Sequence, residues 1–261
     1  MAQVGMFSWF SYPMPIEERL LKIKQAGFDA TSLWWKGEDK DLQPDIARKI
    51  GLAIDNIHTP FDNPNSFWVD GLAGEEYLAM LISCVNDCKR HSIPVAVIHI
   101  TGFSESSPIS NVGMDRMKKL IDCAERQEIN IALENLNTLE HLDYIFQNID
   151  SDRLGFCYDS GHENCNHPDA DCLSRYGDKL IAIHLDDNFG DDDTHLLPYD
   201  GTANWKGIKK KLDTCKKLDY ITLEVDFNPK HEKSIIYKDL SADDFLALSY
   251  KSVQRFLSEK S

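Results

Sequence analysis

Leu154-Gly155-Phe156-Cys157-Tyr158-Asp159 and Leu180-Ile181-Ala182-Ile183-His184-Leu185 are two short apolar runs separated by a polar stretch, residues 160–179. Each carries an ionisable group at or next to its C-terminal end. The same pattern recurs along the chain at Val4–Trp9, Ala30–Trp35, Leu52–His58, Val95–Ile100, Ile129–Glu134 and Tyr220–Val225. These runs are rich in β-branched residues and bounded by Gly, Pro, Asn or Asp. Strands buried on both faces of a parallel sheet read this way, because neither face alternates with water.

The stretches between the runs have helical periodicity. Met117, Leu120, Ile121 and Ala124 follow the i, i+3, i+4, i+7 spacing of one buried face. Ile16, Leu20 and Ile23 do the same, and Gly27 supplies a stop. Ser241 with Asp244 opens a last helix whose inner face is Leu246, Val253 and Leu257. Eight strand–helix units in 261 residues predict an α/β fold, a (β/α)₈ barrel forming a single domain over residues 1–261. A doubly wound open sheet is disfavoured by the unit count. It is disfavoured also by the lack of a glycine-rich phosphate loop after the first run.

Composition narrows the function classes. The chain has 28 basic and 43 acidic residues and a net charge of −15, with 42% hydrophobic content. This balance suits a folded protein and opposes binding to a phosphate backbone or an anionic membrane. No run approaches the roughly 18 apolar residues of a membrane span, and no basic flank precedes the first run as in a signal peptide. Seven cysteines, with no C-x-x-C pair, are expected to be reduced thiols in a cytoplasmic protein.

The polar residues that interrupt the runs carry the chemistry. His58, His99, Glu134, Asp159, His184 and Glu224 stand at or near the C-terminal ends of six runs. His162 follows Asp159 by three residues, and Asp193 and His195 lie in the loop after the seventh run. In this barrel class the C-terminal strand ends build the active site. Imidazole nitrogens and carboxylate oxygens suit Zn²⁺ or Mn²⁺. A carboxylate inside an apolar run must be paired, protonated or metal-bound.

The segment His184-Leu185-Asp186-Asp187-Asn188, continuing through His195-Leu196-Leu197-Pro198 to Asp200-Gly201-Thr202-Ala203-Asn204-Trp205, resembles the strand-7 signature of the xylose-isomerase-like barrels. Glu134-Asn135 and Asp159-x-x-His162 resemble the strand-5 and strand-6 signatures of the same group. That superfamily contains sugar isomerases and epimerases and endonuclease IV, and the resemblance covers essentially the whole chain. It implies a four-ligand metal centre of Glu134, Asp159, His184 and Glu224, with Glu134 and Glu224 as the catalytic acid–base pair. It also implies that His58, His99, His162, Asp193 and His195 match the additional ligands of the endonuclease IV cluster. One to three divalent ions, zinc or manganese, are therefore expected as cofactor.

The expected activity is metal-dependent isomerisation or epimerisation of a small sugar or polyol through an enediolate, with dehydration of an inosose-like ketone sharing the first step. The alternative is a multinuclear-zinc phosphoesterase acting on a small substrate. Nucleic acid is not the expected partner: from Asp159 to Asn204 only Arg175 and Lys179 are basic. The resemblance has one departure. Ketose epimerases of the group carry a basic residue shortly after the strand-7 histidine, and here no Lys or Arg stands between His184 and Lys206.

Trp9, Trp34, Trp35, Phe61 and Trp68 are candidate walls for the C–H face of a sugar, about half of them expected to face the pocket. The long stretch Phe61–Gly74 reads as a lid and Asn228–Lys233 as a solvated loop. His91, His141 and His167 read as surface residues. The sequence leaves assembly into a homo-oligomer open.

Overall fold

The computed structural model describes residues 3–103, 105–227 and 232–259. Eight parallel strands close into a barrel in chain order, and β1 pairs with β8. The strands are β1 Gln3–Phe7, β2 Ala30–Trp34, β3 Ala53–His58, β4 Val95–Ile98, β5 Asn130–Glu134, β6 Leu154–Asp159, β7 Leu180–Leu185 and β8 Tyr220–Leu223. Every one lies inside, or within one residue of, an apolar run read from the sequence.

Nine helices among the described residues surround the barrel. They are α1 Ile16–Gln25, α2 Gln43–Lys49, α3 Leu72–Arg90, α4 Asn111–Gln127, α5 Glu140–Asn148, α6 Ser160–Asn166, α7 Cys172–Tyr176, α8 Trp205–Leu212 and α9 Ala242–Ser258. The longer ones are set by their caps. The Ser110 hydroxyl accepts the Gly113 N–H at the start of α4, and Ser241 accepts that of Asp244 at the start of α9. Met117, Leu120, Ile121 and Ala124 are buried against the barrel, as are Leu246 and Val253. None of these helices is long and apolar enough to cross a membrane. The seven cysteines are unpaired.

Two expectations need correction. Phe61–Gly74 is an anchored wall, not a free lid. Its Pro64–Trp68 turn is buried, and the Arg116 guanidinium donates to the carbonyls of Phe67 (2.8 Å) and Val69 (2.7 Å). His141 is buried, not superficial. Its ring packs 4.7 Å from that of Trp68, and Nε2 lies 3.0 Å from the Ser107 carbonyl. His91 and His167 are half-buried. Residues 228–231, the first part of the loop read after the eighth run, lie outside the described residues.

The lower barrel interior is polar on one side. The β2–β3 register shifts so that Thr31 pairs with Ile54 and Ser32 with Asn56, leaving Asp55 as the bulged residue. Asp55 reaches across the barrel to accept the Thr222 hydroxyl at 2.7 Å, and it accepts the Asn56 amide at 3.0 Å. Burial pushes its carboxyl up to about 6 despite these bonds. The folded value lies above the unfolded one, so this group costs stability progressively as pH rises from about 4 to about 6. Asp55→Asn is expected to match the wild type near pH 4 and to exceed it by about 3 kcal/mol at pH 7. Urea midpoints at the two pH values check this; a pH-independent difference contradicts it.

Candidate metal centre

Glu134, the last residue of β5, stands at the centre of the barrel mouth and is fully enclosed. One oxygen lies 2.8 Å from His99 Nε2 and 3.4 Å from His58 Nε2. The other lies 3.0 Å from His184 Nδ1, and that nitrogen lies 2.6 Å from a Glu224 oxygen. His162 Nδ1 sits 3.7 Å from Glu134 and 3.6 Å from Asp159. The far side of the His162 ring faces Asp193 at 3.1 Å, and His195 Nε2 is 3.3 Å from the same Asp193 oxygen. All nine candidate ligands from the sequence thus join one contiguous network.

Local structure fixes their orientation. His58 Nδ1 lies 2.9 Å from the Thr59 carbonyl, so Nε2 turns to the site. Asp159 is the N-cap of α6; one oxygen accepts the His162 N–H at 2.6 Å. His195 Nδ1 is held by the Glu224 carbonyl at 2.9 Å and by Asp186 at 3.2 Å. Asp186 escaped the sequence reading. It also accepts the Gly161 N–H at 2.9 Å, where a Cβ would stand 2.3 Å from the carboxylate. The glycine in Asp159-Ser160-Gly161-His162 was the available signal.

Electrostatics bind acids and imidazoles into one unit. Burial favours the neutral form of Glu134, yet His184 and His99 hold its carboxyl well below the usual range. Glu224 is likewise brought down to about 2, mainly by His184 against burial. Against burial, neighbouring carboxylates raise His162 and His195 well above the ordinary imidazole value. Burial, followed by the charge of Asp186, pushes Asp159 well up. Burial takes His99 down to about 4.

The donor set fits divalent cations. Asp159 Oδ2, His162 Nδ1 and Asp193 Oδ1 are buried with no hydrogen-bond partner among the described residues. Ligand atoms lie within 4.8 Å of one another in three groups: His58, Glu134, His184 and Glu224; Glu134, Asp159 and His162; and Asp186, Asp193 and His195. The four ligands implied by the resemblance therefore do not form one compact set. Glu134 belongs to two groups, and Asp159 falls with His162.

The motif after β7 has a structural component. Buried Asp187 accepts the N–H groups of Tyr199, Gly201, Ala203 and Asn188 at 2.9–3.0 Å, and the Trp205 indole at 2.8 Å. This carboxylate folds residues 187–205 into the loop that carries Asp193 and His195.

Two of the five candidate wall residues, Trp34 and Phe61, stand against the ligand histidines. Trp34 lies 5.5 Å from His58 and 5.3 Å from Phe61, and Phe61 stacks 4.6 Å from His99. Phe7 and half-exposed Phe103 join them, 5.9 Å from His58 and 5.3 Å from His99. Trp35 and Trp68 do not. Successive strand residues point to opposite faces, so Trp35 lies behind the barrel with its indole on Asp87 at 2.9 Å. Trp68 donates to the Ile100 carbonyl at 2.7 Å and packs on Gly113, where a Cβ would come within 2.2 Å of its ring. Trp9 lies at the rim beneath Arg19, 4.4 Å away.

Comparison with known proteins agrees with this architecture. A family model described as xylose isomerase-like TIM barrel matches residues 20–241. An uncharacterized protein of Methanocaldococcus jannaschii, MJ1311, is 26% identical over 234 residues, covering 80% of this chain and 78% of its own. An uncharacterized protein of Sinorhizobium fredii, y4fM, is 43% identical over 97 residues, so the match spans 34% of this chain but only 31% of that protein. The 3-keto-D-glucoside 4-epimerase YcjR from E. coli superposes with a TM-score of 0.75 at 18% identity, covering 99% of this chain and all of that one. A D-allulose 3-epimerase from Methylomonas sp., solved with D-allulose, does so at 0.75 and 15% identity, covering 97% and 96%. The barrel, its mouth and the match over residues 20–241 together mean that the chain belongs to the xylose isomerase-like TIM barrel family.

Proposed function

We propose that the protein is a metal-dependent isomerase or epimerase of a small sugar or polyol. One observation carries this reading: Glu134, at the end of β5, and Glu224, the residue after β8, both approach His184 Nδ1, at 3.0 and 2.6 Å. Two carboxylates from different strand ends thereby flank one point of the mouth. A divalent cation held there by Glu134, His184 and Glu224, with Asp159 drawn in from the neighbouring ligand group as the fourth donor, zinc or manganese by donor type, would supply Lewis acidity toward a carbonyl and its neighbouring hydroxyl. One carboxylate takes the proton from the carbon beside the carbonyl, and the other returns it. His162 orients a substrate hydroxyl. Phe7, Trp34, Phe61 and Phe103 exclude water from the enediolate. The family's sugar epimerases with this fold make a polyhydroxylated ketone the first substrate class to try.

The test is proton exchange. The metal-loaded protein, incubated with ketoses in D₂O, is expected to place deuterium on the carbon beside the carbonyl, read by NMR. No exchange with any ketose, together with hydrolysis of bis(p-nitrophenyl) phosphate, contradicts the reading.

Two features favour phosphoester hydrolysis as a second reading: Glu134 is shared by two ligand groups, and Asp193 joins His162 to His195. Shared carboxylates are what a multinuclear phosphoesterase uses. His99→Ala separates the two. It is expected to lower kcat by less than roughly tenfold in a single-metal isomerase, and by roughly a hundredfold or more where His99 is an obligatory ligand. Nucleic acid stays disfavoured: Arg175 is paired with Asp143 and Lys179 lies over Phe146, so both are engaged with α5.

A further inference from the structure

Beside the aromatic wall, a groove of about 390 Å³ runs between the start of α1 and the segment after β2. Its lining includes Trp9, Arg19, Trp34, Lys36 and Gln43. Trp34 is common to the groove and the metal centre, since its ring lies 5.5 Å from that of His58. Its position is fixed: its N–H donates to the Ser8 hydroxyl at 2.8 Å and its carbonyl accepts the Gln43 amide at 2.8 Å.

The cations of this groove are unequal. Lys36 is paired with Asp62 at 2.7 Å, and Lys40 is paired with Asp87. Arg19 has no carboxylate within 4.0 Å among the described residues, although exposed Glu38 and Asp39 line the same groove. Its guanidinium is half-buried over the Trp9 ring, one Nη donates to the Met14 carbonyl at 3.0 Å, and buried Nε has no acceptor among the described residues. Burial draws this group down from its ordinary value, with no acid to offset the effect. A desolvated, unpaired guanidinium is costly, and an oxyanion is the partner its planar fork matches.

We propose that this groove is an oxyanion subsite, in which Arg19 receives a terminal phosphate or carboxylate of the substrate whose reacting end lies at Glu134. The substrate then crosses the edge of Trp34. This gives the protein a basic contact on the β1–β2 side of the mouth, where the loop after β7 offers no Lys or Arg. The assignment of the reacting end rests on the proposed function; the subsite itself is read independently of it.

The experiment uses the full chain stripped of metal with chelator, so that added anions have no metal to bind. Inorganic phosphate and, separately, acetate are titrated at constant ionic strength, with tryptophan fluorescence from Trp9 and Trp34 as readout. A saturable change is expected, weakened roughly tenfold or more by Arg19→Gln and partly kept by Arg19→Lys. In the wild type, the preferred anion is also expected to slow modification of Arg19 by phenylglyoxal, mapped by mass spectrometry. This second readout needs no variant to fold. A stronger response to phosphate assigns a phosphate ester, and a stronger response to acetate assigns an acid. No saturable response to either, equal binding by Arg19→Gln, or unprotected Arg19 overturns the proposal. None of these outcomes depends on whether the metal-loaded protein exchanges a substrate proton.

Discussion

Glu134→Gln is expected to abolish turnover, lowering kcat on the order of 10³-fold or more. The residue combines two roles. It is the proposed acid–base group, and it is the anion on which His58, His99 and His184 converge at 2.8–3.4 Å. A glutamine keeps the shape but offers only one acceptor oxygen. Its amide nitrogen must then face an imidazole that had found a carboxylate. The variant is also expected to hold less metal, because Glu134 belongs to two of the three ligand groups. Steady-state rates on the substrate found by deuterium exchange, with a melting curve to verify folding, check this. Retained activity in a folded variant removes Glu134 from the catalytic pair.

Asp187→Ala is expected to cost about 3–5 kcal/mol and to lower Tm by about 10 °C. Five donors converge on this buried carboxylate, four of them backbone N–H groups from residues 188–203. Truncation leaves them enclosed without acceptors, and no rotamer of a neighbour replaces two oxygens at once. The backbone pair between Asp187 and Leu196, at 2.7–2.8 Å, survives and holds one end of the loop. The rest is expected to loosen, displacing Asp193 and His195 and reducing activity along with stability. Unchanged thermal stability contradicts the account of this motif as a folding element.

The barrel was legible because strands buried on both faces leave uninterrupted apolar runs, and eight such runs imply closure. Strand ends were less legible: β1 and β2 stop before Trp9 and Trp35, because side-chain apolarity does not report where a ladder ends. The carboxylates and imidazoles were legible because polar residues are rare inside such runs. Asp186 was not, since it follows Leu185 in a polar stretch where any acid looks solvated, yet it is enclosed against Gly161. Trp35 and Trp68 lie away from the wall for different reasons. Strand alternation sends Trp35 outward. Trp68 packs against α4 through Gly113, a tertiary contact that local pattern does not display. Phe7 and Phe103 resembled ordinary core and loop residues. Arg19 carried no signal, because what marks it is the carboxylate that is not beside it.

The claim on which the rest stands is that this mouth grasps cations. Its most direct test is the metal content of the full chain, purified without chelator and re-equilibrated with zinc or manganese, counted by inductively coupled plasma mass spectrometry beside Glu134→Gln. We expect between one and three divalent ions per wild-type chain, and fewer in the variant. A wild-type chain that retains no metal, or a variant that retains as much, contradicts the account.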